Sequence, residues 1–153
     1  MYVSCRKDVQ LVSNDTFWLS QTPSEPSKYP GAGSIRLATV AKFSAGSGAF
    51  TILNTHFDDQ SNDQRMLGAS MLRVRAKYEA YNEGKNDGKV FVLGDFNSPP
   101  TGTDSEGYKI ATGQLDIVSG VNATWAQKYE VPEGQLDGFS VCNLSSQETK
   151  ALH

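Results

Sequence analysis

Hydrophobic and polar positions divide the chain into readable stretches. In the first third, short apolar runs at residues 2–5, 9–12 and 17–19 are broken by Arg6-Lys7-Asp8 and Ser13-Asn14-Asp15. That alternation of run and polar break predicts short strands and turns. Residues 21–33, QTPSEPSKYPGAG, are rich in Pro, Ser and Gly. They predict a loop, either an exposed connector or a cover over a site. In SIRLATVAKF, alternation places Ile35, Leu37, Thr39, Ala41 and Phe43 on one face. This predicts a strand with Arg36 and Lys42 on its opposite face. Ser44 to Gly48 is a turn into a next strand at residues 49–55, so the pair predicts an antiparallel hairpin.

The period then changes. Ser61 followed by Gln64 matches a helix-capping box. Leu67, Met71, Val74, Tyr78 and Tyr81 step by four and three, the stripe of an amphipathic helix, with Arg65, Arg73, Arg75 and Lys77 mostly away from it. Gly84 and Asn86-Asp87-Gly88 predict its end. The unbroken apolar run at residues 90–93 predicts a strand covered on both faces. Strand, helix and strand in succession predict a right-handed βαβ crossover with parallel strands. Parallel strands end at the same sheet edge, where ligands of α/β proteins tend to bind. Asn54, His56 and Asp58 beyond one strand should therefore meet Asp95 and Asn97 beyond the other. Alternation along extended chain would aim each set to one side. After Gly102 the pattern predicts a short helix with Leu115 to Val118 as its apolar end. A turn-rich region follows, with Trp125, Tyr129 and Phe139 packing inward.

Composition narrows the picture. The chain has 153 residues, enough for one domain or part of a larger one. With 38% hydrophobic and 20% charged residues it reads as globular rather than disordered. A net charge of −3 gives no electrostatic footprint for tight nucleic-acid binding. A bound divalent cation could still reverse the sign of a site locally. Cys5 and Cys142 are far apart and lack metal-ligand spacing; a disulfide and two free thiols both remain open. Three sequons, at Asn14, Asn122 and Asn143, favour a secreted parent weakly. The N-terminal MYVSCRKDVQLV lacks the apolar core of a signal peptide, and no stretch reaches transmembrane length.

The candidate chemistry lies at the shared strand edge. His56 can tie two loops together, or it can act as general acid or base and donate to a phosphoryl oxygen. Asp95 and Asn97 can cap a turn that Pro99-Pro100 stops. They can equally serve a hard cation such as Mg²⁺ and orient a water, the carboxylate taking its proton and the amide holding it without added charge.

FTILNTHFDD followed by KVFVLGDFNSPP, with FWLS and RLAT ahead of them in that order, resembles the endonuclease/exonuclease/phosphatase (deoxyribonuclease-I-like) superfamily. The resemblance runs from about Tyr2 to Pro100. It implies an α/β fold, a four-layer β-sandwich flanked by helices, and metal-dependent hydrolysis of a phosphoester with Mg²⁺ or Mn²⁺. It implies catalytic roles for His56, Asp95 and Asn97, with Asn54, Asp58 and Arg36 supporting. Asp95 and Asn97 would be weak metal donors. Members of this kind also carry a Gln-Glu pair upstream, whose glutamate is the chief metal ligand, and a Ser-Asp-His segment near the C-terminus. Neither motif stands here, and Glu25 and Glu148 lack a matching context. The expectation is a single partial domain, truncated at both ends and monomeric. It is either a phosphodiesterase, nuclease or phosphatase in type, or a catalytically inactive fragment or binding relic of that family. DNA, RNA, inositol phosphates and sphingomyelin-like lipids all remain open as substrates.

Overall fold

The computed structural model describes residues 7–46, 48–82 and 89–133. The readings of residues 2–5, of Cys5 and Cys142, of Phe139 and of the helix end beyond Asn82 fall outside these. The described residues form a mixed four-stranded sheet with helices against one face. Strands β1 (Val9–Trp18), β2 (Leu37–Ala45), β3 (Gly48–His56) and β4 (Lys89–Asp95) lie side by side in sequence order. β1, β2 and β3 pair antiparallel, and β3 pairs with β4 in parallel. The hairpin and the parallel crossover are therefore both present, with helix α1 (Asn62–Asn82) between the parallel strands.

Two strands expected on either side of Ser13-Asn14-Asp15 are one. β1 continues through these residues, and a register shift between Leu11 and Ser13 absorbs the polar break as a bulge. Asp15 then points to the helix side and bonds Arg75 at 2.8 Å. Local polarity had a tertiary partner that the pattern does not display.

The core lies between sheet and α1. Phe17, Val40 and Leu53 from the sheet meet Phe57, Leu67, Met71 and Leu72, all buried. Each such side chain contributes roughly 1.5–3 kcal/mol when removed from water. The α1 stripe faces this core, but the buried side is wider than the stripe. Arg65 and Arg75 are buried rather than turned to solvent. Arg75 Nε donates to Glu79 at 2.7 Å, its ion pair with Asp15 closes the other side, and Lys42 Nζ lies 2.8 Å from Glu79. Tyr129 covers the Arg75 guanidinium at 4.3 Å from its ring centroid. Buried charge is tolerated here because every ion has a close counter-ion.

Among the described residues, strand β4 is covered on one face only. Val90 and Val92 are half-buried toward α1, whereas Phe91 and Leu93 are about half exposed on the other side. The expectation of cover on both faces is corrected: among the described residues there is one sheet with one helical layer. After β4 come α2 (Glu106–Ala111) and α3 (Ala123–Gln127). Residues 115–118 do not extend α2. The helix stops at Thr112, and Gly113 with φ +79° turns the chain away. Leu115 and Ile117 are consequently exposed. Trp125 packs inward as expected, 5.0 Å from the Phe17 ring centroid. No helix among the described residues is long and apolar enough to cross a membrane.

Candidate functional site

The parallel register places His56 directly beside Asp95 and Asn54 beside Leu93. Register partners share a face, so Asn54, His56 and Asp95 all stand on the side away from the helices. His56 Nε2 lies 3.9 Å from Asp95 Oδ2, and both side chains are open to solvent, at 47% and 63% exposure. The two residues come from separate stretches and meet where the crossover demands.

Asn97 joins them by its backbone and its amide. Its N–H donates to Asp95 Oδ1 at 2.9 Å, and its Nδ2 donates to the Phe57 carbonyl at 2.9 Å. The residue adopts φ 44°, a left-handed conformation that asparagine tolerates better than most side chains. The Phe57 N–H in turn donates to the Asp95 carbonyl at 2.9 Å, and the Phe57 and Phe96 rings stack at 5.0 Å. The chain just past β3 and just past β4 is thus stitched together beside the His56–Asp95 pair.

Gly94 makes the close approach possible. Its φ is +136°, and a Cβ there would overlap the Thr55 carbonyl on the neighbouring strand. Only glycine fits that backbone. A single glycine ending an apolar run is a usable sequence signal, although the run by itself reads as an ordinary strand.

Asp58 and Arg36 form a second cluster. Extended alternation ends at His56, and Asp58 is wholly buried. Its carboxylate accepts from the backbone N–H groups of Gly33, Ser34, Gln60 and Ser61 at 3.0–3.1 Å, and from Arg36 Nε at 3.2 Å. Burial alone would push this carboxyl up. The N–H groups of Gly33, Ser34 and Gln60, with the Arg36 guanidinium, outweigh it and hold the group well below the usual carboxylate range. Arg36 also reaches Asp59 at 3.0 Å, so its guanidinium is committed to two acids. The structure therefore brings His56, Asp95 and Asn97 together, with Asn54 on the same face. Asp58 and Arg36 instead tie the loop of residues 21–33 to the end of β3.

Arg65 and Gln64, absent from the sequence-based set, brace the same region. Arg65 donates to the Asp58 carbonyl at 2.9 Å and pairs with Asp104 at 3.2 Å. It links the turn after β3 to the loop after Asn97. Gln64 accepts from the Asp58 N–H at 3.0 Å and donates to the Leu19 carbonyl. Its backbone N–H also donates to the Ser61 hydroxyl, so half of the capping box forms, while the Gln64 side chain serves the β3 turn instead. The spacing that predicted a cap concealed this second use.

Among the described residues, no group of three His, Cys, Asp or Glu could by itself hold a metal ion. Asp95 Oδ2 and the Asn97 amide oxygen are hard donors of the right kind for Mg²⁺, but they bring one carboxylate between them. Such a pair can contribute to a divalent-cation shell rather than form one.

Neither a family profile nor a curated protein matches the chain. Solved structures do. An endonuclease/exonuclease/phosphatase family protein from Bacteroides thetaiotaomicron is 26% identical with a TM-score of 0.58, over 71% of this chain and 38% of that one. An endonuclease/exonuclease/phosphatase from Bacteroides vulgatus is 29% identical with a TM-score of 0.58, over 71% of this chain and 40% of its own. A mannosyl-6-phosphatase from Bacteroides thetaiotaomicron shares the fold at 24% identity and a TM-score of 0.57. The chain spans about two-fifths of the length of these structures.

Proposed function

On the premise that this chain is built as the central part of an endonuclease/exonuclease/phosphatase domain, we propose that it contributes His56, Asp95 and Asn97 to the hydrolysis of a phosphoester. The observation that carries this reading is the meeting of His56 and Asp95 at 3.9 Å on the shared carboxyl edge of β3 and β4, with Asn97 fixed beside them. A water positioned by Asp95 attacks phosphorus in line. The new P–O bond forms as the ester P–O bond breaks, the Asp95 carboxylate accepts the water's proton, and the leaving oxygen departs with the bonding pair and is protonated by solvent. His56 donates a hydrogen bond to a phosphoryl oxygen as negative charge builds. Asn97 holds the Asp95 carboxylate by its N–H, and its side chain, tied to the Phe57 carbonyl, adds no charge. Asn54 lines the floor on the same face. Asp58, Arg36 and Arg65 keep the strand end and its loops in place.

Asp95, with the Asn97 amide oxygen, is the part of this chain that would hold Mg²⁺ or Mn²⁺. Such a cation, when bound, stabilises charge on the phosphoryl oxygens. Its remaining ligands would come from outside the residues described here.

A second reading, a chain with no hydrolysis of its own, is favoured by that single-carboxylate donor set. Hydrolysis of bis(4-nitrophenyl) phosphate by purified protein, with and without Mg²⁺, separates the two. Mg²⁺-dependent release of nitrophenol that is lost in His56→Ala supports the first. Release at the uncatalysed rate in wild-type protein supports the second.

A further inference from the structure

Among the described residues, two that are not glycine have left-handed backbones, and they bound the same loop. Asn97 has φ 44° at its start, and Asp104 has φ 62° at its end. Such conformations persist where surrounding bonds over-determine them, and they gather at working sites. Asn97 stands in the hydrolytic site proposed above, so whatever holds it also shapes that site. Its φ sets two bonds at once. The N–H donates to Asp95 Oδ1 at 2.9 Å, and the side chain donates to the Phe57 carbonyl at 2.9 Å. Relaxing φ to the ordinary right-handed range would swing the side chain by about 100° relative to the N–H. One of the two bonds would then break.

The bonds that oppose this relaxation form a closed circuit. From Phe57 the chain passes to Asp58, whose carbonyl accepts from Arg65 Nη1 at 2.9 Å. Arg65 Nη2 reaches Asp104 Oδ1 at 3.2 Å. The Asp104 carbonyl accepts from Ser98 Oγ at 2.6 Å, and Ser98 is the residue after Asn97. The circuit leaves Asn97 by its side chain and returns through its peptide bond.

Both closing side chains are anchored by helices. Arg65 is buried in the first turn of α1. Ser98 Oγ also accepts from the Tyr108 N–H at 2.9 Å. That N–H is one of the free donors at the start of α2, where the Ser105 side chain makes no cap bond. Gly107 of α2 sits directly against the two: a Cβ there would lie 3.1 Å from Arg65 Cβ and 3.2 Å from Ser98 Oγ.

We propose that Arg65 and Ser98 are positioning residues, which close the circuit that keeps Asn97 left-handed and so aim its N–H at Asp95. They act through Asn97 and not on the phosphoester. Their effect on rate rests on the hydrolytic reading above, whereas the circuit stands on its own.

Such residues govern the chemical step more than substrate binding. A reacting group misplaced by about 1 Å can cost roughly 100-fold in rate. Loosening Asn97 lets the Asp95 carboxylate turn away from the water it must deprotonate, while His56 still meets the phosphoryl oxygen. The loss therefore falls on kcat and spares KM.

Two measurements on the full chain test this. One is the hydrogen-exchange rate of the Asn97 backbone N–H by NMR, and the other is kcat and KM for bis(4-nitrophenyl) phosphate with Mg²⁺. Ser98→Ala removes both bonds of the hydroxyl, and Arg65→Lys cannot span Asp58 and Asp104. Asn122→Ala, which removes the side-chain cap of α3, controls for lost stability alone. The expected result is Asn97 exchange at least about tenfold faster in Ser98→Ala and Arg65→Lys, with kcat at least about tenfold lower and KM within about twofold. Asn122→Ala should move neither readout. Unchanged Asn97 exchange overturns the proposal. So does a fall in kcat no larger than that of Asn122→Ala, or a loss carried by KM. Faster exchange in a chain whose wild type releases nitrophenol at the uncatalysed rate supports the circuit and sinks the hydrolytic reading instead. Should Arg65→Lys fail to fold, Ser98→Ala decides alone.

Discussion

Replacing Asp58 by Asn changes one atom of a wholly buried side chain and isolates what its charge does. The amide oxygen can keep the bonds that Oδ1 accepts from Gly33, Gln60 and Ser61. The new NH₂ group must then face the Ser34 N–H and Arg36 Nε, which are both donors. Two charge-assisted bonds are lost, each worth about 1.5–3 kcal/mol, and donors oppose donors in a buried space. The expected cost is about 3–5 kcal/mol, a large share of the roughly 5–15 kcal/mol that holds a domain folded. In urea, with a slope of about 2 kcal/mol/M, the midpoint should fall by about 1.5–2.5 M. The pH dependence supplies a second readout. The folded-state carboxyl sits below its ordinary value of 3.8. Its contribution is therefore fully present above that value and is lost as pH falls toward the depressed folded one. The gap between wild type and Asp58→Asn should be constant from pH 8 to 5 and shrink below pH 4. A midpoint change under about 0.3 M, or a gap that grows on acidification, refutes the reasoning.

Three further substitutions probe the frame of the site. Gly94→Ala places a methyl group against the Thr55 carbonyl at φ +136° and should cost more than about 3 kcal/mol, read as a lower urea midpoint or loss of soluble protein. Arg65→Lys keeps the charge, but one ammonium cannot span the Asp58 carbonyl and Asp104; a loss of about 1–3 kcal/mol should lower the thermal midpoint by several degrees. Asn122 caps α3 through the Trp125 N–H and donates to the Gln21 carbonyl. Asn122→Ala should therefore cost about 1 kcal/mol by chemical denaturation.

The sequence made the crossover legible because period-3.6 and period-2 stretches adjoin without ambiguity around residues 50–95. The meeting of His56 and Asp95 followed from topology alone, before any side chain was placed. What stayed hidden depended on partners distant along the chain. Ser13-Asn14-Asp15 looks like a turn until Asp15 finds Arg75, 60 residues away. Arg75 looks like a solvent residue until it finds Glu79, which also pairs with Lys42. Asp58 follows the alternation of Asn54 and His56 on paper, but the chain leaves extended geometry after His56 and the carboxylate turns inward to five donors. Phe91 and Leu93 suggest a strand buried on both faces, because an apolar run records the need for cover and not its source.

The central claim is that His56 and Asp95 act as one unit on a phosphoester. The most direct measurement is a double-mutant cycle on Mg²⁺-dependent bis(4-nitrophenyl) phosphate hydrolysis, comparing wild type, His56→Ala, Asp95→Asn and the double variant. Cooperating groups lose most of the rate when either is removed. Each single variant should lose roughly 100-fold or more, in the range typical of an acid–base group. The double variant should be little worse than the poorer single. Single variants that retain wild-type rates, or losses that simply multiply in the double variant, would contradict the account.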